Sequence, residues 1–252
     1  PLPLGAAAMI LLVPWFLVLA RHSKNAALFA TFWSGMLYNT INYYWIYNVM
    51  KVGPAGMILF GLFLLICYFS LYNVIAAAVF ISVKNLKIKN KKILLLLFPL
   101  FYAGLEMTRT YGDFAFPWSH LGYALGNHLE LLQALSYIGI FGYTILILYA
   151  NMAVAYGILQ KKYALFITPI ILLAILFMHG KWVLSHETAI PFYEGKEKAP
   201  KIALVQPSIP QTAKWSKAYL DSVVGKTLQL VEDSVQADSV NLIVLAETAV
   251  PD

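Results

Sequence analysis

PAGMILFGLFLLICYFSLYNVIAAAVFISV, residues 54–83, is a run of thirty residues without a single Asp, Glu, Lys, Arg or His. It is followed at once by KNLKIKNKK, residues 84–92, which packs five lysines into nine positions. Spanning a bilayer takes about 17–25 apolar residues in a helix. A run this long must cross, and must also tilt or project beyond the hydrocarbon. The sudden basic stop marks the water on one side.

Five further apolar stretches lie outward from this one. In all, the chain offers Leu4–Ala20, Ala26–Tyr47, Pro54–Val83, Ile93–Thr108, Leu131–Leu159 and Tyr163–Trp182. The fourth is short and needs its flanks. Pro14, Pro99 and Pro169 fall inside spans, where neighbouring helices can re-satisfy the backbone. Composition agrees: the chain is 60% hydrophobic and 12% charged, against about 25% charged in an ordinary soluble domain. The expected fold is therefore a multi-pass α-helical membrane bundle over residues 1–182, with about six spans.

The linkers orient it. Those after spans one, three and five hold Arg21 and Lys24, then Lys84, Lys87, Lys89, Lys91 and Lys92, then Lys161 and Lys162. That is nine of the chain's 18 basic residues, with no acid among them. The linker after span two holds Lys51, and the linker Arg109–Glu130 contains Asp113 and Glu130. Basic residues beside spans stay in the cytoplasm, so the odd-numbered linkers are expected inside and everything after span six outside. The net charge of +6 punctuates apolar segments and forms no single face, which argues against nucleic acid as a partner. Pro1–Gly5 has neither a start methionine nor a basic leader and reads as a chain already trimmed.

At Ser185 the composition turns polar, and residues 183–200 read as a linker or membrane-surface segment. Residues 201–252 then read as the start of an α/β domain. KIALVQ (201–206) and NLIVLA (241–246) are expected buried strands. Between them, Ser216 through Ala237 sets Leu220, Val224, Leu228, Val231 and Val235 on one helical face, with Ser216 as the N-cap. Strand, helix, strand implies a parallel sheet.

Few residues offer chemistry. Glu247 follows directly on the second strand, where α/β sheets gather functional groups. It is either a general base with a raised pKa or a hydrophilic strand end. Glu106 and Arg109, three apart near a helix end, either line a lipid entrance or form a structural ion pair. His120 and His128 lack metal-ligand spacing and read as surface histidines. The lone Cys67 lies mid-span, where apolar surroundings disfavour the thiolate, and is expected buried and inert. No metal or cofactor is expected. Lys84–Lys92 reads as a topogenic loop attracted to anionic lipid, and Tyr43–Tyr47 as an interfacial belt.

IALVQPSIPQTAKW (202–215) followed by LIVLAETAVP (242–251) resembles the start of a carbon–nitrogen hydrolase (nitrilase) domain, an αββα sandwich. Within that superfamily it is most similar to the bacterial apolipoprotein N-acyltransferases. The spans agree, since YYWIY (43–47), LEMTR (105–109), FPW (116–118), LGY (121–123) and GIFGY (139–143) stand in that family's order. The resemblance implies transfer of an acyl chain from a phospholipid, through a cysteine thioester, to the α-amino group of a lipoprotein's N-terminal diacylglyceryl-cysteine. It implies a bacterial inner-membrane protein, most simply a monomer, with its catalytic domain on the periplasmic side. Glu247 matches the catalytic glutamate. Trp215 matches a tryptophan over the site, which positions substrate or simply rests at the membrane interface.

The sequence departs from the family's pattern at Leu245-Ala246, where Trp-Pro is common, and at Ala115, where glycine precedes Phe116-Pro117-Trp118. The family's lysine and cysteine, and its first and last spans, fall outside residues 1–252, so these residues alone are expected to be inactive. Two other readings share parts of the pattern: a membrane-tethered amidase or nitrilase, and a non-catalytic lipid transporter or scaffold.

Overall fold

A computed structural model describes residues 5–51, 53–186, 200–210, 219–237 and 240–246. They fall into two compact units, one within residues 1–45 and 60–187, the other within 46–59 and 188–252.

Among the described residues, all six apolar stretches are chiefly helical. After a 3₁₀ turn at Gly5–Ala7 come α1 (Ala8–Leu11), α2 (Val13–Arg21) and α3 (Lys24–Tyr43), then a 3₁₀ segment, Tyr44–Lys51. Helices α4 (Ala55–Asn85), α5 (Lys91–Leu96) and α6 (Phe98–Thr108) precede a 3₁₀ turn at Leu121–Leu125. Then follow α7 (Leu129–Leu132), α8 (Leu135–Gln160), a 3₁₀ turn at Tyr163–Ile167 and α9 (Thr168–His186).

Three helical segments are long and apolar enough to cross a membrane: Ala55–Asn85, Leu135–Gln160 and Tyr163–His186. The other three stretches fall short of that measure for local reasons. Helix breaks at Leu12 and Leu97 split the first and fourth, and each break lets the following proline sit in a first turn, where its missing N–H is no loss. Helix α3 has twenty residues, about 30 Å of rise, but Thr31, Ser34, Asn39, Thr40 and Asn42 dilute its apolar character.

The packing is inverted relative to a water-soluble protein. Phe29, Trp33, Leu37, Phe60, Phe63 and Leu71 are exposed, whereas Thr31, Asn39, Ser70, Thr144 and Asn151 are buried. Lipid tails are as apolar as leucine, so helices in a bilayer associate through close packing and hydrogen bonds. Both devices are present. Phe16, Phe80 and Phe98 stack with centroids 5.1–6.0 Å apart, and Ala76, Ala77 and Ala155 bring backbones close. Asn151 mends the break at Leu12: its Oδ1 accepts from the Leu12 N–H, and its Nδ2 donates to the Ala8 and Ile147 carbonyls, all at 2.8 Å.

The second unit contains β1 (Ile202–Val205), α10 (Leu220–Ala237) and β2 (Leu242–Leu245). The strands pair in parallel, Ile202 opposite Leu242 and Val205 opposite Leu245, as the strand–helix–strand order requires. Two details differ from expectation. Val223 and Thr227 are the buried helix residues, while Leu228 and Val235 are exposed; the packed row is turned by about one residue, and the row 223, 227, 230, 234 has helical spacing too. Ile202, Leu204, Leu242 and Val244, which share one sheet face by register, are exposed. Only Val205, on the other face, is buried among the strand residues.

Candidate functional site

Glu106, in the last turn of α6, carries a buried carboxyl group, 5% exposed. Its Oε1 accepts the Leu121 backbone N–H at 2.9 Å, and its Oε2 accepts the Thr144 hydroxyl at 2.7 Å. The Thr144 oxygen in turn accepts the Gly122 N–H at 3.1 Å, which leaves its one proton free for Glu106. A single carboxyl thus ties α6, α8 and the turn at Leu121–Leu125 together. Gly122 permits the approach: a Cβ there would stand 2.3 Å from the Ile140 carbonyl oxygen. Beside it, Gly139 has φ +63°, and this left-handed residue kinks the start of α8.

One turn on, Arg109 is 8% exposed. Its Nη2 donates to the Tyr43 hydroxyl at 3.1 Å and to the Trp118 carbonyl at 2.7 Å. The guanidinium lies 4.2 Å over the Phe69 ring, a desolvated cation–π contact. Tyr43 also meets the Ser119 hydroxyl at 2.5 Å, fixing a residue at φ +55° that costs about 1–2 kcal/mol in the left-handed region. Rings close around the group: Tyr43 on Phe69 and on Phe116, and Trp45 on Trp118, all with centroids 5.4 Å apart.

Glu106 and Arg109 do not form the ion pair allowed by their spacing; among the described residues the one salt bridge is Lys181–Glu130, at 4.0 Å. Each instead anchors the 116–122 loop separately. Both also line a cavity of about 400 Å³ among α2, α3, α4 and α6, with Asn39, Asn73, Tyr102 and Ser119 in its wall. The Arg109 Nε has no hydrogen-bond partner among the described residues. Sequence reasoning missed Tyr43, Thr144 and Ser119 as members of this cluster. A signal existed: Tyr43, Glu106 and Arg109, Phe116 and Trp118, Leu121 and Gly122, and Gly139 belong to the five short motifs quoted above. Those motifs meet here.

Other expectations change. His120 is not a surface residue: its ring is 2% exposed, packs on Phe141 and Tyr123, and hydrogen-bonds nothing among the described residues. Burial, reinforced by Arg109, lowers its pKa from 6.5 to about 4, so it is neutral at pH 7. His128 is half-buried. Cys67 is half-buried and not fully enclosed, its Sγ 3.9 Å from Met36 Sδ. No cluster of three His, Cys, Asp or Glu side chains suited to a metal occurs among the described residues. Glu247 and Trp215 lie outside the described residues.

Residues 1–153 match the family model of the apolipoprotein N-acyltransferase N-terminal domain. The chain is 30% identical to an apolipoprotein N-acyltransferase of Rickettsia bellii over 195 residues, 76% of this chain and 36% of that protein. It is 27% identical to one of Geobacter metallireducens over 256 aligned positions, 97% of this chain and 47% of that protein. A relative from Chlorobaculum tepidum is 25% identical over 97% of this chain and 44% of its own length. The chain spans about half or less of these curated relatives. By the match over its first 153 residues, this bacterial membrane chain belongs to the apolipoprotein N-acyltransferase family.

Proposed function

We propose that the protein moves an acyl chain from a membrane phospholipid to the α-amino group of a lipoprotein's N-terminal diacylglyceryl-cysteine, by way of a cysteine thioester. The observation carrying this reading is the meeting of the five family motifs in one buried cluster around Glu106 and Arg109. In the proposed chemistry Glu247 takes the thiol proton, and the thiolate attacks the phospholipid ester. The tetrahedral intermediate collapses, and the lysophospholipid alkoxide leaves with the proton held by Glu247. The lipoprotein amine then attacks the thioester and gives its proton to Glu247, which returns it to the departing thiolate. A lysine would stabilise each oxyanion. Trp215 positions a substrate above the site, and Glu106 and Arg109 shape the wall along which the lipid enters. Both substrates are lipid-anchored, so a site at the membrane surface gains through proximity.

We also propose six spans, with the odd-numbered linkers in the cytoplasm and residues 183–252 on the periplasmic side of the inner membrane. The odd-numbered linkers, free of acid, support this orientation.

The test is acyl transfer from phospholipid to a diacylglyceryl lipopeptide by the full-length protein. Glu247→Gln is expected to reduce turnover by about 10³-fold or more, and residues 1–252 alone should give none. Hydrolysis of small amides without lipopeptide acylation would favour a membrane-tethered amidase instead. Tag accessibility in sealed vesicles checks the orientation, and a cytoplasmic residue 247 ends the reading.

A further inference from the structure

At the opposite end of the helical unit lies a second cavity, of about 610 Å³. It is bounded by α2, α4, α5, α8 and the 3₁₀ turn at Tyr163–Ile167. Its walls are chiefly apolar, with Phe16, Phe80, Leu95, Met152 and Leu165 among them. Two cations, Lys84 and Lys92, also line it, and no acid does. The ion pair found among the described residues involves neither of them. Lys84 Nζ donates to the Leu19 and Ala20 carbonyls at 2.7 and 3.3 Å, which leaves one of its three N–H groups unspent. Lys92 is exposed.

We propose that this cavity is a binding site for an anionic glycerophospholipid, one acyl chain against the apolar wall and the phosphate at Lys84 and Lys92. Each half of the arrangement excludes an alternative occupant. A soluble anion would satisfy the lysines and leave the apolar wall uncovered. A zwitterionic lipid would bring its own cation to a place where Lys87, Lys89 and Lys91 add further positive charge. Basic pockets between membrane helices beside a lysine-rich segment attract anionic headgroups. The site lies away from Glu106 and Arg109 and shares no lining residue with their cavity, so it does not rest on the acyl-transfer reading or on the orientation.

The experiment is native mass spectrometry of the full chain released from nanodiscs, with phosphatidylglycerol, phosphatidylcholine and glycerol phosphate as probes. Phosphatidylglycerol is expected to be retained about tenfold over phosphatidylcholine, and Lys92→Gln to lower that retention about fivefold. Raising the salt should weaken it further. Ala153→Trp, which fills the apolar wall, should reduce phosphatidylglycerol retention while Lys84 and Lys92 remain. Equal retention of the two lipids, or no change in Lys92→Gln, overturns the proposal. Competition by glycerol phosphate as strong as by the lipid overturns it also, because the apolar wall would then contribute nothing.

Discussion

At one end of the helical unit, Glu106 and Arg109 are 5% and 8% exposed, and their hydrogen bonds end on other parts of the fold. At the other end, Lys84 is half-buried and Lys92 is exposed beside an apolar cavity. Both ends hold charge next to hydrocarbon, but they offset its desolvation differently. The first end surrounds its two ionisable groups with donors, acceptors and aromatic faces, so removing one partner strands another in a dry place. The second ties Lys84 only to the Leu19 and Ala20 carbonyls and leaves Lys92 exposed, so Lys92 can be removed cheaply. The first end is rigid by necessity. The second can accept a counter-ion.

The sharpest way to break this contrast is Glu106→Ala, which strands the Leu121 N–H and the Thr144 hydroxyl. It should cost about 3 kcal/mol in denaturation of the detergent-solubilised protein, with Glu106→Gln costing less. A loss no larger than that of an exposed-site variant would show that the cluster does not hold the loop. Arg109→Lys comes next. A lysine keeps the charge but loses the planar fork and the stacking on Phe69, for an expected loss of about 1–2 kcal/mol.

His120 gives the contrast a pH signature. Its pKa falls from 6.5 to about 4 on folding, so the unfolded chain takes the proton first as the solution is acidified. Stability from the neutral ring is complete above pH 6.5 and is lost as pH falls toward 4, by about 1 kcal/mol at pH 5.5. His120→Phe should flatten that part of the pH profile of thermal unfolding. Smallest of all, Lys92→Gln should change stability by less than about 0.5 kcal/mol. A larger loss would mean that the lysine end is also a structural lattice.

Much of the fold is legible in the amino-acid sequence. The charge-free stretch at 54–83 and the lysines after it required a membrane helix, and helix α4 is there. The strand–helix–strand order of the second unit was equally plain, because Ile-Ala-Leu-Val and Leu-Ile-Val-Leu are β-rich and short. Less legible was which face of the intervening helix packs, since two rows of similar spacing compete and the sheet chooses between them. His120 was misread for a related reason: a polar residue in a linker looks exposed unless the linker is known to fold back onto the bundle. The site was half legible. Glu106 and Arg109 stood out as ionisable groups beside a span, but their spacing suggested a mutual pair.

The amino-acid order determined the solvent, the helices and the crowding of basic residues into alternate linkers, because each follows from the cost of placing charge or bare backbone in hydrocarbon. It also carried the five short motifs. Only the tertiary structure decided that those motifs share one buried cluster, and that Glu106 and Arg109 grip a loop and not each other. Hydrogen bonds between groups as far apart in sequence as Tyr43 and Arg109, or Glu106 and Thr144, are set by how whole helices pack, and no local spacing encodes them.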